Sequence, residues 1–292
     1  MVEAWAVVED GVVVESHEAD HPVPWWSFTK TVLAAGALVL VQDGKVDLDE
    51  PISGRPYSLR HLLQHRAGLA NYGSLAAYHE AVARHDEPWS VPELLARVDA
   101  DRLRYGSGKG WAYSNIGYLF VRQMIETVTG ESIDAALKRL VLHPLAIEGA
   151  RVATKPDDLA PVIMGSTSTY HPAWVYHGLL VGSVQDAAML LHRLMCGMLL
   201  PPETLQIMLE PFGLPGPVEG RPWNKPGYGL GLMTGETTGG LRVAGHTGGG
   251  PGSTLAVYHA LRTQAPSRTA AFFATRDDQA RTEEKAFEFL QM

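Results

Sequence analysis

The spacing of apolar and polar positions changes several times along this chain, and each change predicts a different element. Glu3 to Ser16 is rich in valine and is broken at Glu9-Asp10-Gly11. Asp-Gly between two apolar runs predicts a β-hairpin. Pro22 and Pro24 then interrupt any strand. From Trp26 or Ser27 to Gln42 the period becomes helical, with Gly44 as the stop. Val32 to Val41 is apolar on nearly every side. Such a helix is buried all round, so it is expected at the centre of the fold.

The middle of the chain reads as helices. Ser58 can cap one through His65, and Ser90 another through Val98. Asn115 to Val128 is helical in pattern and ends at Gly130, and Ser132 caps the next helix. Ser183-Val184-Gln185-Asp186 has the form of a capping box opening a helix through Leu199, with a short helix over Leu205 to Leu209. Short β-rich segments follow at Tyr228–Met233, Leu241–Gly245, Ser253–Ala260 and Thr269–Thr275, then a helix from about Thr282 to Leu290. No βαβ alternation appears, which argues against a doubly wound parallel sheet. The pattern predicts an α+β fold. One antiparallel β-sheet is formed from both chain ends and flanked by helices, with a mostly helical region inserted. We expect a single catalytic unit over 1–292, with a sheet subdomain over about 1–50 and 226–292 and a helical subdomain over about 55–210.

Composition narrows the function classes. The 292 residues are 46% hydrophobic, enough for a sizeable core or for two cores sharing a cleft. The net charge of −8, with no basic run, disfavours a polyphosphate partner, so no nucleic acid is expected. The N-terminal residues lack the features of a signal peptide, and the longest apolar run is too short to span a bilayer. A cytoplasmic protein without a membrane partner is therefore expected, although a chain trimmed of its leader reads the same way. The single cysteine, Cys196, lies in an apolar stretch and reads as a small buried hydrophobe.

Three segments carry candidate chemistry. In Ser27-Phe28-Thr29-Lys30, helical spacing places Lys30 beside the Ser27 hydroxyl. A buried lysine with a lowered pKa can take the serine proton. About one such Ser–Lys spacing arises by chance in a chain of this length, and alone it reads more readily as a capping serine with an exposed lysine. Tyr113-Ser114-Asn115 follows a glycine-rich loop and opens a helix. A tyrosine there can shuttle a proton and an asparagine amide can hold a carbonyl, but a packed tyrosine before a helix start explains it as well. His246-Thr247-Gly248-Gly249-Gly250-Pro251-Gly252 lies between two strand-like segments. It reads equally as a glycine-rich turn and as a strand edge offering N–H groups to an oxyanion. His61 and His65 have a spacing that could bind zinc, but Leu62 stands where a metalloprotease needs glutamate, so no metal site is expected.

Taken together and in this order, the three segments resemble the serine β-lactamase and penicillin-binding-protein superfamily. The likeness is to its class C β-lactamase-like branch of esterases and D-alanyl-D-alanine carboxypeptidase relatives, in which Ser-x-x-Lys is followed by Tyr-x-Asn and a late Lys/His-Thr-Gly strand. The stretches Asp47–Pro51, Leu59–Leu69, Asn115–Tyr118 and Gly178–Ser183 are similar too, and the likeness runs from about Val12 to Thr275.

The resemblance implies that Ser27 attacks a carbonyl while Lys30 and Tyr113 relay its proton. It implies that the N–H groups of Ser27 and Gly249 hold the oxyanion, and that Asn115, His246 and Thr247 contact substrate. No cofactor is needed. His246 stands where β-lactamases carry lysine, and a largely neutral imidazole gives poor support to a substrate carboxylate. The expectation is therefore an esterase-like serine hydrolase acting on a small ester, lactone, amide or short peptide. A β-lactamase or carboxypeptidase is the alternative, and a catalytically silent binding protein is the alternative from another class. Trp174, Tyr176 and Tyr228 are candidates for the acyl pocket, with core packing the plainer reading for at least two of them.

Overall fold

The computed structural model describes residues 1–165, 170–262 and 266–292. The chain opens with the predicted hairpin, β1 (Glu3–Glu9) and β2 (Val12–His17), followed by a short β3 (Pro22–Pro24). Helices α1 (Thr29–Gln42), α2 (Leu59–Leu63), α3 (Ala76–Ala83), α4 (Val91–Arg97), α5 (Asn115–Thr129) and α6 (Ile133–Leu137) come next. They are followed by β4 (Arg151–Ala153), β5 (Leu179–Ser183), α7 (Val184–Met195) and α8 (Pro202–Leu209). The C-terminal part is β6 (Phe212–Gly213), β7 (Trp223–Tyr228), β8 (Met233–Thr237), β9 (Arg242–Gly250), β10 (Ser253–Ala260), β11 (Arg268–Ala274) and α9 (Gln279–Gln291).

Eight strands form one sheet in the order β2-β1-β11-β10-β9-β8-β7-β6, every neighbouring pair antiparallel. Both chain ends contribute, as the pattern predicts. Strand alternation feeds two cores. Leu255 and Val257 of β10 join the large core with α1 and α7, while Ala256, Tyr258 and Ala260 pack in a smaller one with Phe287 and Leu290 of α9. Helix α1 is buried along almost its whole length, from Thr29 to Leu38.

Several boundaries differ from the sequence reading, each for a local reason. Tyr228–Met233 is not one strand: Tyr228 ends β7, Met233 begins β8, and the residues between connect them. Gly231 there has φ +78°, and a Cβ on it would lie 2.3 Å from the Ala34 side chain of α1. Leu230 and Leu232 are fully buried in this connection, so their alternation reflects packing between elements. Pro22 and Pro24 do not exclude a strand, because β3 lies at the edge of a small sheet ordered β3-β5-β4, where a missing N–H is tolerated. Helix α7 ends at Met195 rather than Leu199, since Gly197 turns the chain with φ +75°. Cys196 is consequently exposed, not buried. Among the described residues no helix is long and apolar enough to cross a membrane.

Candidate active site

The nucleophile candidate lies where α1 begins. Trp26–Phe28 form a 3-10 turn leading into α1, so Ser27 and Lys30 stand one turn apart. Trp26 has φ +44°, a left-handed conformation that costs a bulky residue on the order of 1–3 kcal/mol. It is held there by an indole hydrogen bond to Ser253 Oγ at 3.1 Å and by its ring lying against Gly250, where a Cβ would sit 2.5 Å from ring carbons. The strain therefore fixes the residue next to Ser27.

Lys30 is completely buried. Its Nζ lies 3.1 Å from Ser27 Oγ and 3.1 Å from His177 Nε2. It stands 5.1 Å from the centroid of the Tyr113 ring and 5.7 Å from that of Tyr118. Burial pushes the Lys30 pKa well below its ordinary value, toward the free amine. Burial pushes Tyr113 the other way, well above its ordinary value, and the nearby Ser27 hydroxyl offsets part of that rise. A free amine and a phenol that keeps its proton are the arrangement in which one group accepts a proton and the other carries it.

The glycine-rich segment resolves into strand β9 followed by a turn at Pro251-Gly252. β8 pairs with β9 only as far as Gly245, so His246 to Gly250 form an open edge beside the Ser27 turn. Approach here is close: a Cβ on Gly248 would lie 2.5 Å from Ser27 N and 2.7 Å from Trp25 O, both backbone atoms that cannot swing away. Gly249 and Gly250 line a cavity of about 320 Å³ together with Ser27, Asn115, Tyr72 and His177. The Asn115 carboxamide oxygen is buried without a partner among the described residues. A second cavity of about 300 Å³ lies on the Tyr113 side and is walled by apolar residues including Trp111, Leu214, Trp223 and Tyr228.

His246 is buried, and its hydrogen bonds define its tautomer. Nδ1 lies 2.7 Å from the Thr247 carbonyl and must donate to it, so Nε2 accepts from the Tyr228 hydroxyl at 2.9 Å. Burial, reinforced by the Lys30 charge, pushes its pKa down to about 3. Thr247 is turned to other partners. Its hydroxyl lies 2.6 Å from Glu283 Oε1 and 2.8 Å from the Tyr258 hydroxyl, so it is already occupied by a buried network. The pocket aromatics divide. Tyr228 borders the second cavity. Trp174 and Tyr176 are core residues whose polar atoms bond the carbonyls of Asp86 and Trp89. Of the two histidines four residues apart, His61 accepts at Nδ1 from Ser58 N at 3.2 Å and His65 accepts at Nδ1 from Ser114 N at 3.1 Å, while Nε2 of His65 is buried without a partner among the described residues.

Sequence reasoning weighs His65 only as a zinc ligand and passes over His177, and both belong to this site. His65 has φ +57° and packs against Tyr113 with ring centroids 4.2 Å apart and the ring planes tilted by 39°. His177 directly precedes Gly178, one position outside a stretch that sequence likeness does single out. An aromatic–histidine–glycine junction entering a strand was the available signal.

His65, His177 and His246 form a shell of neutral imidazoles around Lys30, all with pKa values lowered mainly by burial, and His259 is lowered to about 4 for the same reason. In the unfolded chain each returns to the ordinary 6.5 and binds a proton that the fold refuses. Their contribution to stability is fully present above about pH 6.5 and is lost as pH falls toward 4 and then 3. The melting temperature is therefore expected to fall steadily between pH 6.5 and 4. A flat profile over that range would contradict the buried-neutral state of these rings.

This combination of fold and site defines an α+β architecture with a Ser–Lys pair where the central helix begins. The chain belongs to the Beta-lactamase family, whose profile matches residues 3–291. It is 27% identical to Esterase EstB of Burkholderia gladioli over 157 residues, covering 46% of this chain and 39% of the esterase. It is likewise 27% identical to Penicillin-binding protein 4* of Bacillus subtilis over 141 residues, covering 43% of this chain and 29% of that protein. The chain thus matches well under half the length of these relatives. A solved D-stereospecific amidohydrolase from Streptomyces sp. superposes with a TM-score of 0.81 at 25% identity, covering 98% of this chain and 92% of the other. The D-amino acid amidase of Ochrobactrum anthropi shares the fold, with a TM-score of 0.80 at 22% identity over 99% and 93% of the two chains.

Proposed function

We propose that the protein is an esterase-like serine hydrolase that works through a Ser27 acyl-enzyme. The observation that carries this reading is the fully buried Lys30 amine 3.1 Å from Ser27 Oγ. Lys30 takes the Ser27 proton as Oγ attacks the substrate carbonyl. Backbone N–H groups of Ser27 and Gly249 receive the oxyanion, each such donor being worth roughly a hundredfold or more. Tyr113 protonates the departing group, and the same Tyr–Lys pair then activates water to release the acyl chain. Asn115 offers its carboxamide to the acyl portion.

The two cavities suggest how substrate is disposed. The acyl group enters the cavity shared by Ser27, Asn115 and Gly249, and the leaving group departs on the Tyr113 side, where the walls are apolar. His246 weighs against a substrate that presents a carboxylate near it. Its Nδ1 proton is committed to Thr247, its Nε2 receives the Tyr228 proton, and its pKa of about 3 leaves it uncharged. Neutral esters suit the site better than penicillins or peptide C-termini.

The test is one preparation assayed on short-chain p-nitrophenyl esters, nitrocefin and D-alanyl peptides. The neutral ester is expected to be turned over fastest by at least about tenfold, the scale of one lost charge-assisted contact. His246→Lys should raise the nitrocefin-to-ester ratio. A wild-type preference for nitrocefin or D-alanyl peptides contradicts the ester reading, and a ratio unmoved by His246→Lys contradicts the role given to this imidazole.

A further inference from the structure

Lys30 works in an unusual hydrogen-bonding environment. Among the described residues, its Nζ has two hydrogen-bond partners, Ser27 Oγ and His177 Nε2, each at 3.1 Å, and neither is a carboxylate or a carbonyl. A buried amine that is to accept a proton needs two things. Its lone pair must point at the donor, and the ammonium it becomes must have somewhere to donate. Ser27 occupies the lone pair. Once its proton has moved, Oγ is bonded to the substrate carbon and is a poor acceptor. That leaves His177.

We propose that His177 is the positioning residue of the Ser27–Lys30 pair: its Nε2 accepts a hydrogen bond from Lys30 Nζ, which aims the amine lone pair at Ser27 Oγ and stabilises the ammonium formed during acylation. The inference rests on the hydrolase reading above. In the step itself, the Oγ–H bond breaks as the Oγ–C bond forms, and the proton passes to Nζ. His177 neither gains nor loses a proton.

The tautomer follows from the ammonium. With three N–H groups and no lone pair, it can only donate, so Nε2 must be the acceptor and the imidazole proton must sit on Nδ1. The surroundings agree. His177 is buried, and its pKa is lowered well below 6.5 by burial and then by the charges of Lys30 and Arg122 and by His246 and His65. It therefore remains a neutral acceptor rather than a competing cation. The other groups close to Lys30 are His65, His246, Tyr113 and Tyr118, and the two phenols among them have raised pKa values. None supplies a negative charge to stabilise the ammonium. His177 Nδ1 is buried with no protein partner among the described residues, so no second hydrogen bond from the protein fixes the ring tautomer. The contact with Lys30 decides it. The ring is held in place by Gly178, whose φ of +99° starts strand β5, and by the β5 pairing with β3 immediately before the Ser27 turn.

The experiment compares wild type, His177→Leu and His177→Gln on p-nitrophenyl acetate across pH, with fluorophosphonate labelling of each. His177→Leu removes the acceptor and keeps bulk. It is expected to lower kcat by about ten- to a hundredfold, the worth of a hydrogen bond to a charged group, with KM within about threefold. It should also move the acid limb of kcat/KM to lower pH, because an acceptor that favours the ammonium has been lost. His177→Gln restores an acceptor and should recover most of kcat and the original limb. A purely structural role predicts instead that both variants lose activity alike with the limb unmoved, and that result overturns the proposal. If His177→Leu does not fold, nitrogen NMR of the wild-type imidazole decides. A proton on Nδ1 with Nε2 as a hydrogen-bonded acceptor supports the assignment, and a proton on Nε2 overturns it. Failure of wild type to label at Ser27 would remove the hydrolase reading itself. Normal labelling with wild-type kinetics in His177→Leu removes only the role of His177.

Discussion

Lys30→Ala is expected to lower turnover of p-nitrophenyl acetate by at least about a hundredfold while leaving the protein folded, the usual scale of a lost general base. Nζ is 3.1 Å from Ser27 Oγ and has no solvent exposure, and burial holds its pKa far below that of a free lysine. That lowering favours the free amine, the form that can take the Ser27 proton. The substitution also removes a fully buried polar group whose desolvation opposes folding, so the melting temperature should rise or hold even as activity falls. That opposite movement separates a chemical role from a packing one. Kinetics that follow stability downward, or turnover close to wild type, would take Lys30 out of the proton transfer.

The second large effect is on stability and lies behind β9. Glu283 of α9 is completely buried, and its carboxylate receives the Arg221 guanidinium, the Thr247 hydroxyl at 2.6 Å, the Tyr258 hydroxyl at 3.1 Å and the Trp223 indole N–H at 3.2 Å. Glu283→Ala leaves a partly buried cation without its counter-charge and the Trp223 indole N–H without its acceptor, with only each other's oxygens left to the Thr247 and Tyr258 hydroxyls. Breaking such a pair costs on the order of 3 kcal/mol. For a chain of this size that is a fall of roughly 5 °C in melting temperature. Because Thr247 lies on the strand whose glycines abut Ser27, kcat should fall as well. A melting temperature within about 2 °C of wild type would show that the network contributes little.

The hairpin at Asp10-Gly11, the buried α1 and the boundaries of β10 follow from period and turn chemistry, so local pattern reaches them. The Tyr228–Met233 segment misleads because Leu230 and Leu232 alternate for a tertiary reason, filling space beside α1 and α8. Ser27, Lys30 and Tyr113 can be suspected from spacing and family likeness, and the structure sets them beside one another. Thr247 shows the limit of that reasoning, since strand position alone cannot reveal that Glu283 occupies its hydroxyl from 36 residues away. The contact made by His177 is hidden from the sequence for the same reason. Its partner Lys30 lies 147 residues earlier, and only the folded chain brings the two into contact.

The central claim is that Ser27 is an activated nucleophile. It is tested most directly by intact-protein and peptide mass spectrometry after exposure to a fluorophosphonate, on wild type and Ser27→Ala. A single adduct on the peptide carrying Ser27, absent in the alanine variant, is the predicted result. Folded wild-type protein that takes up no adduct at any pH, or an adduct that persists in Ser27→Ala, would contradict it.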